Sequence, residues 1–206
     1  MNIYAIPGLG ADGRVFKNLH PKHTLSIIEW KPAEVDETIE HYAQRMAADI
    51  DTSEPFILLG LSFGGVMAQE VVQFVKPQKL ILLSSIAHQE ELQDLFKLVH
   101  KSGVLNLWPH NFYKPPVALC KWYFGTDDSE LVRTILHDSD TELIKWSVLK
   151  LMAWQKKPND IPTLRVHGTN DRLLHYHESA FPIEGGTHFM VVDRAAEITA
   201  WMDANT

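Results

Sequence analysis

The chain has 206 residues, 45% of them hydrophobic, which is enough for one α/β domain with a sizeable core and too few for a second independent one. Its 19 basic and 26 acidic side chains leave a formal charge of −7, and no basic cluster offers itself to a phosphate backbone, so no nucleic-acid partner is expected. The single cysteine, Cys120, excludes an intrachain disulfide and favours a reducing compartment, and no stretch approaches the ~18 apolar residues that span a bilayer. The first residues lack the basic start of a signal peptide and read as a strand, so a cytoplasmic protein with no membrane partner is expected.

In chain order, residues 3–6 form a short apolar strand closed by Pro7-Gly8-Leu9-Gly10. A second strand is predicted over residues 25–30. Apolar residues at positions 35, 39, 43, 46, 47 and 50 then trace one face of a helix. Residues 56–59 are a third strand, 66–75 a helix stopped near Pro77, and 80–83 a fourth strand. Continuous apolar strands alternating with helices predict a parallel sheet covered on both faces.

The alternation breaks after Ile86. From His88 to about Pro158 the pattern is almost wholly helical. Leu92, Leu95, Phe96 and Val99 mark one short helix, ended by Gly103. Pro115-Pro116 opens another, carrying Leu119, Trp122 and Tyr123 and ending at Gly125. Asp140 caps a longer one containing Ile144, Leu149 and Met152. A strand returns at residues 163–166, a short one at 180–183, and a helix at 194–202. This organisation predicts a single domain with a core of residues 1–87 and 159–206 and a helical insertion at 88–158.

One motif carries chemistry. Gly60-Leu61-Ser62-Phe63-Gly64 follows a predicted strand and precedes a predicted helix, an arrangement that lifts a hydroxyl to the top of a sheet. Ser62 is the candidate nucleophile. Nucleophilic acyl transfer also needs a base, a group that fixes the base, and donors for the developing oxyanion. His188, in Gly185-Gly186-Thr187-His188-Phe189 between the last strand and the last helix, is the candidate base. Asp171, in His167-Gly168-Thr169-Asn170-Asp171 just past a strand, is the candidate orienting acid. The order Ser, Asp, His is the one this architecture uses. The backbone N–H groups of Phe63 and Leu9 are the candidate oxyanion hole. The glycines around Leu9 lack the lysine and Ser/Thr of a phosphate loop. Gly8-x-Gly10-x-x-Gly13 matches a dinucleotide fingerprint only superficially, with Glu29 the nearest acidic contender.

These three ordered motifs resemble those of the α/β-hydrolase superfamily over nearly the whole chain, and its small capped esterases and thioesterases most. The resemblance implies a catalytic triad of Ser62, Asp171 and His188, an oxyanion hole of Leu9 and Phe63, and a helical lid at 88–158. It also implies a mainly parallel sheet of about six strands with helices on both faces. The first two strands usual in the family are missing, which gives the order 4-3-5-6-7-8 in family terms. Two departures stand out. Pro7-Gly8 replaces a frequent His-Gly, and the short interval between Asp171 and His188 leaves room only for a trimmed helix. A sheet edge exposed by the missing strands would be covered by a second copy of the chain.

The insertion is rich in aromatic residues. Trp108, Phe112, Trp122 and Trp146, with His88 at the rim, are the candidate substrate-binding residues, favouring an apolar acyl or aryl group. Asp12 and Arg14 are read as a salt bridge or a support of the oxyanion loop. His175, His177 and Glu178 are metal-capable residues that read as solvated, so neither metal nor cofactor is expected. The expected function is carboxylic ester hydrolysis of a small molecule through an acyl-enzyme. Acyl thioester hydrolysis, a cofactor-independent lyase reaction and a non-catalytic binding role are the alternatives.

Overall fold

The computed structural model describes residues 1–94, 98–99, 102 and 113–206. Six strands form one sheet: β1 (Asn2–Ile6), β2 (Thr24–Ile27), β3 (Phe56–Leu61), β4 (Lys79–Leu83), β5 (Thr163–Gly168) and β6 (Phe181–Ile183). Their order is β2-β1-β3-β4-β5-β6, and every neighbouring pair is parallel. This is the expected order.

The buried strands look uniformly apolar because each face of the sheet has its own core. Leu58, Leu80 and Leu82 face α1 (Ile39–Ala47) and α2 (Phe63–Val71). Ile57, Leu59, Ile81 and Leu83 face a 3₁₀ turn (Gly13–Phe16) and the C-terminal helices α6 (Met190–Asp193) and α7 (Ala195–Asn205). Full burial of one such side chain contributes about 2 kcal/mol. Between β4 and β5 come a 3₁₀ turn at Gln89–Glu91 and the helices α3 (Val117–Phe124), α4 (Ser129–Asp138) and α5 (Thr141–Ala153).

Several boundaries differ from the expectations. The second strand stops at Ile27, although the Ile28 N–H still donates to the Ala5 carbonyl. The helix expected from Val35 begins only after Thr38, whose hydroxyl caps the His41 N–H. Val35 is 94% exposed, and Asp36 at φ 55 breaks the helical path. The helix after Ser62 starts at once, at Phe63, and ends at Val71. The last helix is two, divided at Arg194. The interval between β5 and β6 holds turns and no helix. Helix α4 was not foreseen, yet Asp128 caps it by accepting from the Leu131 N–H, and Leu131, Val132 and Ile135 form its buried stripe. Most of the helix expected around Leu95 and Phe96 lies outside the described residues. No described helix is long and apolar enough to cross a membrane.

Candidate active site

The turn from β3 into α2 is sharp. Ser62 sits at φ 52, ψ −122, a conformation that L-residues rarely adopt. A Cβ on Gly60 would collide with the Gly64 carbonyl and the Gly65 backbone, so only a glycine lets strand and helix approach this closely. Two bonds fix the serine from behind: its N–H donates to the Leu83 carbonyl at 2.9 Å, and its carbonyl accepts from the Ser85 hydroxyl at 2.7 Å. Ser85, two residues past the end of β4, is a support that the sequence did not single out.

His188 and Asp171 arrive on two loops at the same end of the sheet. The loops are stitched together. The Asn170 N–H donates to the Gly186 carbonyl at 2.8 Å, and the Gly185 N–H to the Thr169 hydroxyl at 2.9 Å. The result brings the three expected side chains into series. His188 Nε2 lies 2.9 Å from Ser62 Oγ, and His188 Nδ1 lies 2.8 Å from Asp171 Oδ2. A carboxylate only accepts, so Nδ1 carries the proton and Nε2 presents a lone pair to the serine hydroxyl. His188 and Asp171 are both buried.

Asp171 has further donors. Its Oδ1 accepts from the Leu173 and Leu174 N–H groups at 2.8 and 2.9 Å. Its Oδ2 accepts from a second imidazole, His167 Nε2, at 2.9 Å. That nitrogen also lies 2.8 Å from the Leu174 carbonyl, so it is an N–H shared between two acceptors. Burial would raise the Asp171 pKa, but the attraction of His188 and the hydrogen bonds from both imidazoles outweigh it and hold the carboxyl well below its usual range. His167 went unassigned in the sequence, although it stands in the same motif as Asp171.

Leu9 lies in the loop after β1, which passes directly over the serine: a Cβ on Gly8 would stand 3.4 Å from Ser62 Cβ. Phe63 opens α2, so its N–H has no carbonyl one turn earlier in the helix to bond. Among the described residues the Leu9 N–H also donates to nothing. Both expected donors are thus uncommitted at the Ser62 end of the sheet.

Of the helices between β4 and β5, α3 touches this group, whereas α5 packs on α1 and the turn before it. The Phe124 ring, at the end of α3, lies 5.9 Å from the His188 ring and 5.1 Å from Phe189. The Phe189 N–H donates to the Phe124 carbonyl at 3.1 Å. Trp146 of α5 packs on Tyr42 at 4.6 Å, and its indole N–H donates to the Glu37 carbonyl. Trp122 is 55% exposed, with its ring against Tyr123 and under Arg172. His88 is exposed just before the 3₁₀ turn at Gln89–Glu91. Trp108 and Phe112 lie outside the described residues. Asp12 pairs with Arg14, which also reaches Asp138 of α4 at 2.9 Å. Among the described residues the one compact metal-capable group is Glu34, Glu37 and His41, rather than His175, His177 and Glu178. There the Arg45 guanidinium, 2.8 Å from Glu37, already supplies the positive charge.

No protein-family model and no curated protein matches the sequence. Solved structures do match in shape. A lipase-esterase related protein from Clostridium acetobutylicum superposes with a TM-score of 0.71 at 16% identity, over 98% of this chain and 93% of the other. A thermophilic esterase from Thermogutta terrifontis gives 0.70 at 15% identity, over 99% and 88%. The RedJ thioesterase of the prodiginine pathway in Streptomyces coelicolor gives 0.68 at 14% identity, over 100% and 85%. Sheet order, elbow and superposition agree: the chain has the α/β-hydrolase fold.

Proposed function

We propose that the protein is a serine hydrolase that cleaves a carboxylic ester bearing an apolar acyl or aryl group. The observation that carries this reading is the 2.9 Å approach of His188 Nε2 to Ser62 Oγ, backed by Asp171. His188 takes the Ser62 proton as Oγ bonds to the carbonyl carbon. The carbonyl oxygen becomes negative and is held by the Leu9 and Phe63 N–H groups. The intermediate collapses, and His188 returns its proton to the departing alcohol. Water then enters, gives a proton to His188 as it attacks the acyl-enzyme carbonyl, and His188 returns that proton to Ser62 Oγ as the acid departs.

Residues 88–158 act as a lid in this reading. Phe124 closes the site beside His188 and supplies an apolar wall there. Thioesters would follow the same steps with a thiol as leaving group, and the superposition on the RedJ thioesterase supports keeping them as substrates. The test is a panel of p-nitrophenyl esters and acyl-CoA thioesters of graded chain length, with Ser62→Ala as control. Turnover that vanishes in the variant is expected. Turnover that survives it would reject the mechanism, and relative kcat/KM values across the two sets decide between ester and thioester.

A further inference from the structure

The Leu9 N–H and the Gly8 carbonyl belong to one peptide unit. In a trans peptide these two groups point in opposite directions. Whatever holds the Gly8 carbonyl therefore aims the Leu9 N–H. Two donors hold it: the Ala11 N–H at 3.0 Å, within the loop, and the indole N–H of Trp30, also at 3.0 Å, from the chain just past β2.

The same indole packs on the second candidate donor. The Trp30 and Phe63 rings stack at 5.6 Å and 18°. Trp30 is itself braced. Its ring lies 6.0 Å from that of Tyr42, and the Tyr42 hydroxyl donates to the carbonyl of neighbouring Lys31 and accepts from its N–H, at 2.6 and 2.8 Å. Both backbone polar groups of the residue after Trp30 are thereby fixed.

We infer that Trp30 is the positioning residue of the oxyanion hole, orienting the Gly8–Leu9 peptide through its indole N–H and seating Phe63 through its ring. The inference rests on the serine-hydrolase reading above. Trp30 touches neither substrate nor reacting atoms; it acts through two backbone N–H groups contributed by different parts of the chain. It fills this place in a loop that begins Pro7-Gly8, where nothing else from outside the loop grips the Gly8 carbonyl among the described residues.

The experiment compares wild type, Trp30→Phe, and a protein carrying benzothienylalanine at position 30, which keeps the indole's shape but has sulfur in place of N–H. A fluorophosphonate serves as probe. Ser62 Oγ bonds to phosphorus, fluoride departs, the serine proton passes to His188, and the phosphoryl oxygen occupies the oxyanion hole. Labelling rate, kcat and KM on the best p-nitrophenyl ester, and melting temperature are measured together. Both replacements are expected to slow labelling and kcat by roughly 10- to 100-fold, with KM within about twofold. The benzothienyl protein should melt with the wild type, which keeps the test decisive if Trp30→Phe folds poorly. Equal labelling of wild type and benzothienyl protein would overturn the role of Trp30 and leave the hydrolase reading intact. A wild type that neither labels at Ser62 nor turns over any ester or thioester would overturn the reading itself, and the inference with it.

Discussion

His167 and His188 share one acceptor: ring nitrogens of both approach Oδ2 of Asp171, at 2.9 and 2.8 Å. The carboxylate thus serves two imidazoles, one turned toward Ser62 and one turned into the protein. A carboxylate with this many donors stays ionised and has little freedom to swing.

His167→Phe keeps an aromatic ring, of somewhat larger volume, and removes the donor. It is expected to destabilise the fold by about 1–3 kcal/mol. The pH dependence has a definite sign. Folding lowers the Asp171 pKa, so its ionised form contributes stability that is complete above the unfolded value of about 4 and lost as pH falls through the folded value. Without the His167 bond the folded pKa returns toward its ordinary range. The deficit relative to wild type should be full at neutral pH and shrink on acidification. Urea unfolding at several pH values measures it, and a deficit that widens in acid would contradict this account.

Asp171→Asn preserves shape but replaces an acceptor-only group by an amide. The amide can present its own N–H to His188 Nδ1, favouring the tautomer that leaves no lone pair for Ser62. A fall in kcat of roughly 10⁴-fold is expected with KM little changed. Steady-state kinetics on the best ester checks it; a loss under tenfold would remove Asp171 from the mechanism.

Phe124→Ala separates the described end of α3 from the imidazole it lies beside. The ring is half-buried against His188 and Phe189, so a cost below that of a core phenylalanine, about 1–2 kcal/mol, is expected. If the ring also shapes the acyl pocket, kcat/KM should fall more for short esters than for long ones, which fill the vacated space. A uniform loss across chain lengths would leave Phe124 with packing alone.

Much of this was legible in the sequence because it is local. The elbow pentapeptide, the apolar strands and the strand-end positions of Asp171 and His188 are short patterns with their own physical signatures. The strand order followed from the resemblance to the α/β-hydrolase superfamily and not from any local pattern. The supports were not legible. Trp30, Ser85 and His167 act across the sheet on residues distant in sequence or hidden behind a motif, and no spacing rule reports that an indole N–H will find a particular carbonyl. Helix boundaries moved for a similar reason. Position 35 fits the helical period, yet Thr38 and the backbone of Asp36 decide where the helix starts. Helix α4 had both signals that local reading offers, the Asp128 cap and the apolar stripe of Leu131, Val132 and Ile135, so it was legible and was passed over.

The glycines separate two kinds of constraint. At Gly60 an added methyl meets backbone that cannot yield, so Gly60→Ala should cost several kcal/mol or prevent folding. At Gly185 the space is open and the obstacle is only φ 69, so Gly185→Ala should cost about 1 kcal/mol. Thermal unfolding of the two variants tests the ranking; equal effects would mean that the elbow can open.

The backbone of Ser62 has an evolutionary consequence. A serine at φ 52, ψ −122 is less comfortable than a glycine would be, by about 1–3 kcal/mol. Selection of random variants for heat tolerance alone should therefore recover Ser62→Gly, a sturdier protein that, on the hydrolase reading proposed above, turns over no ester.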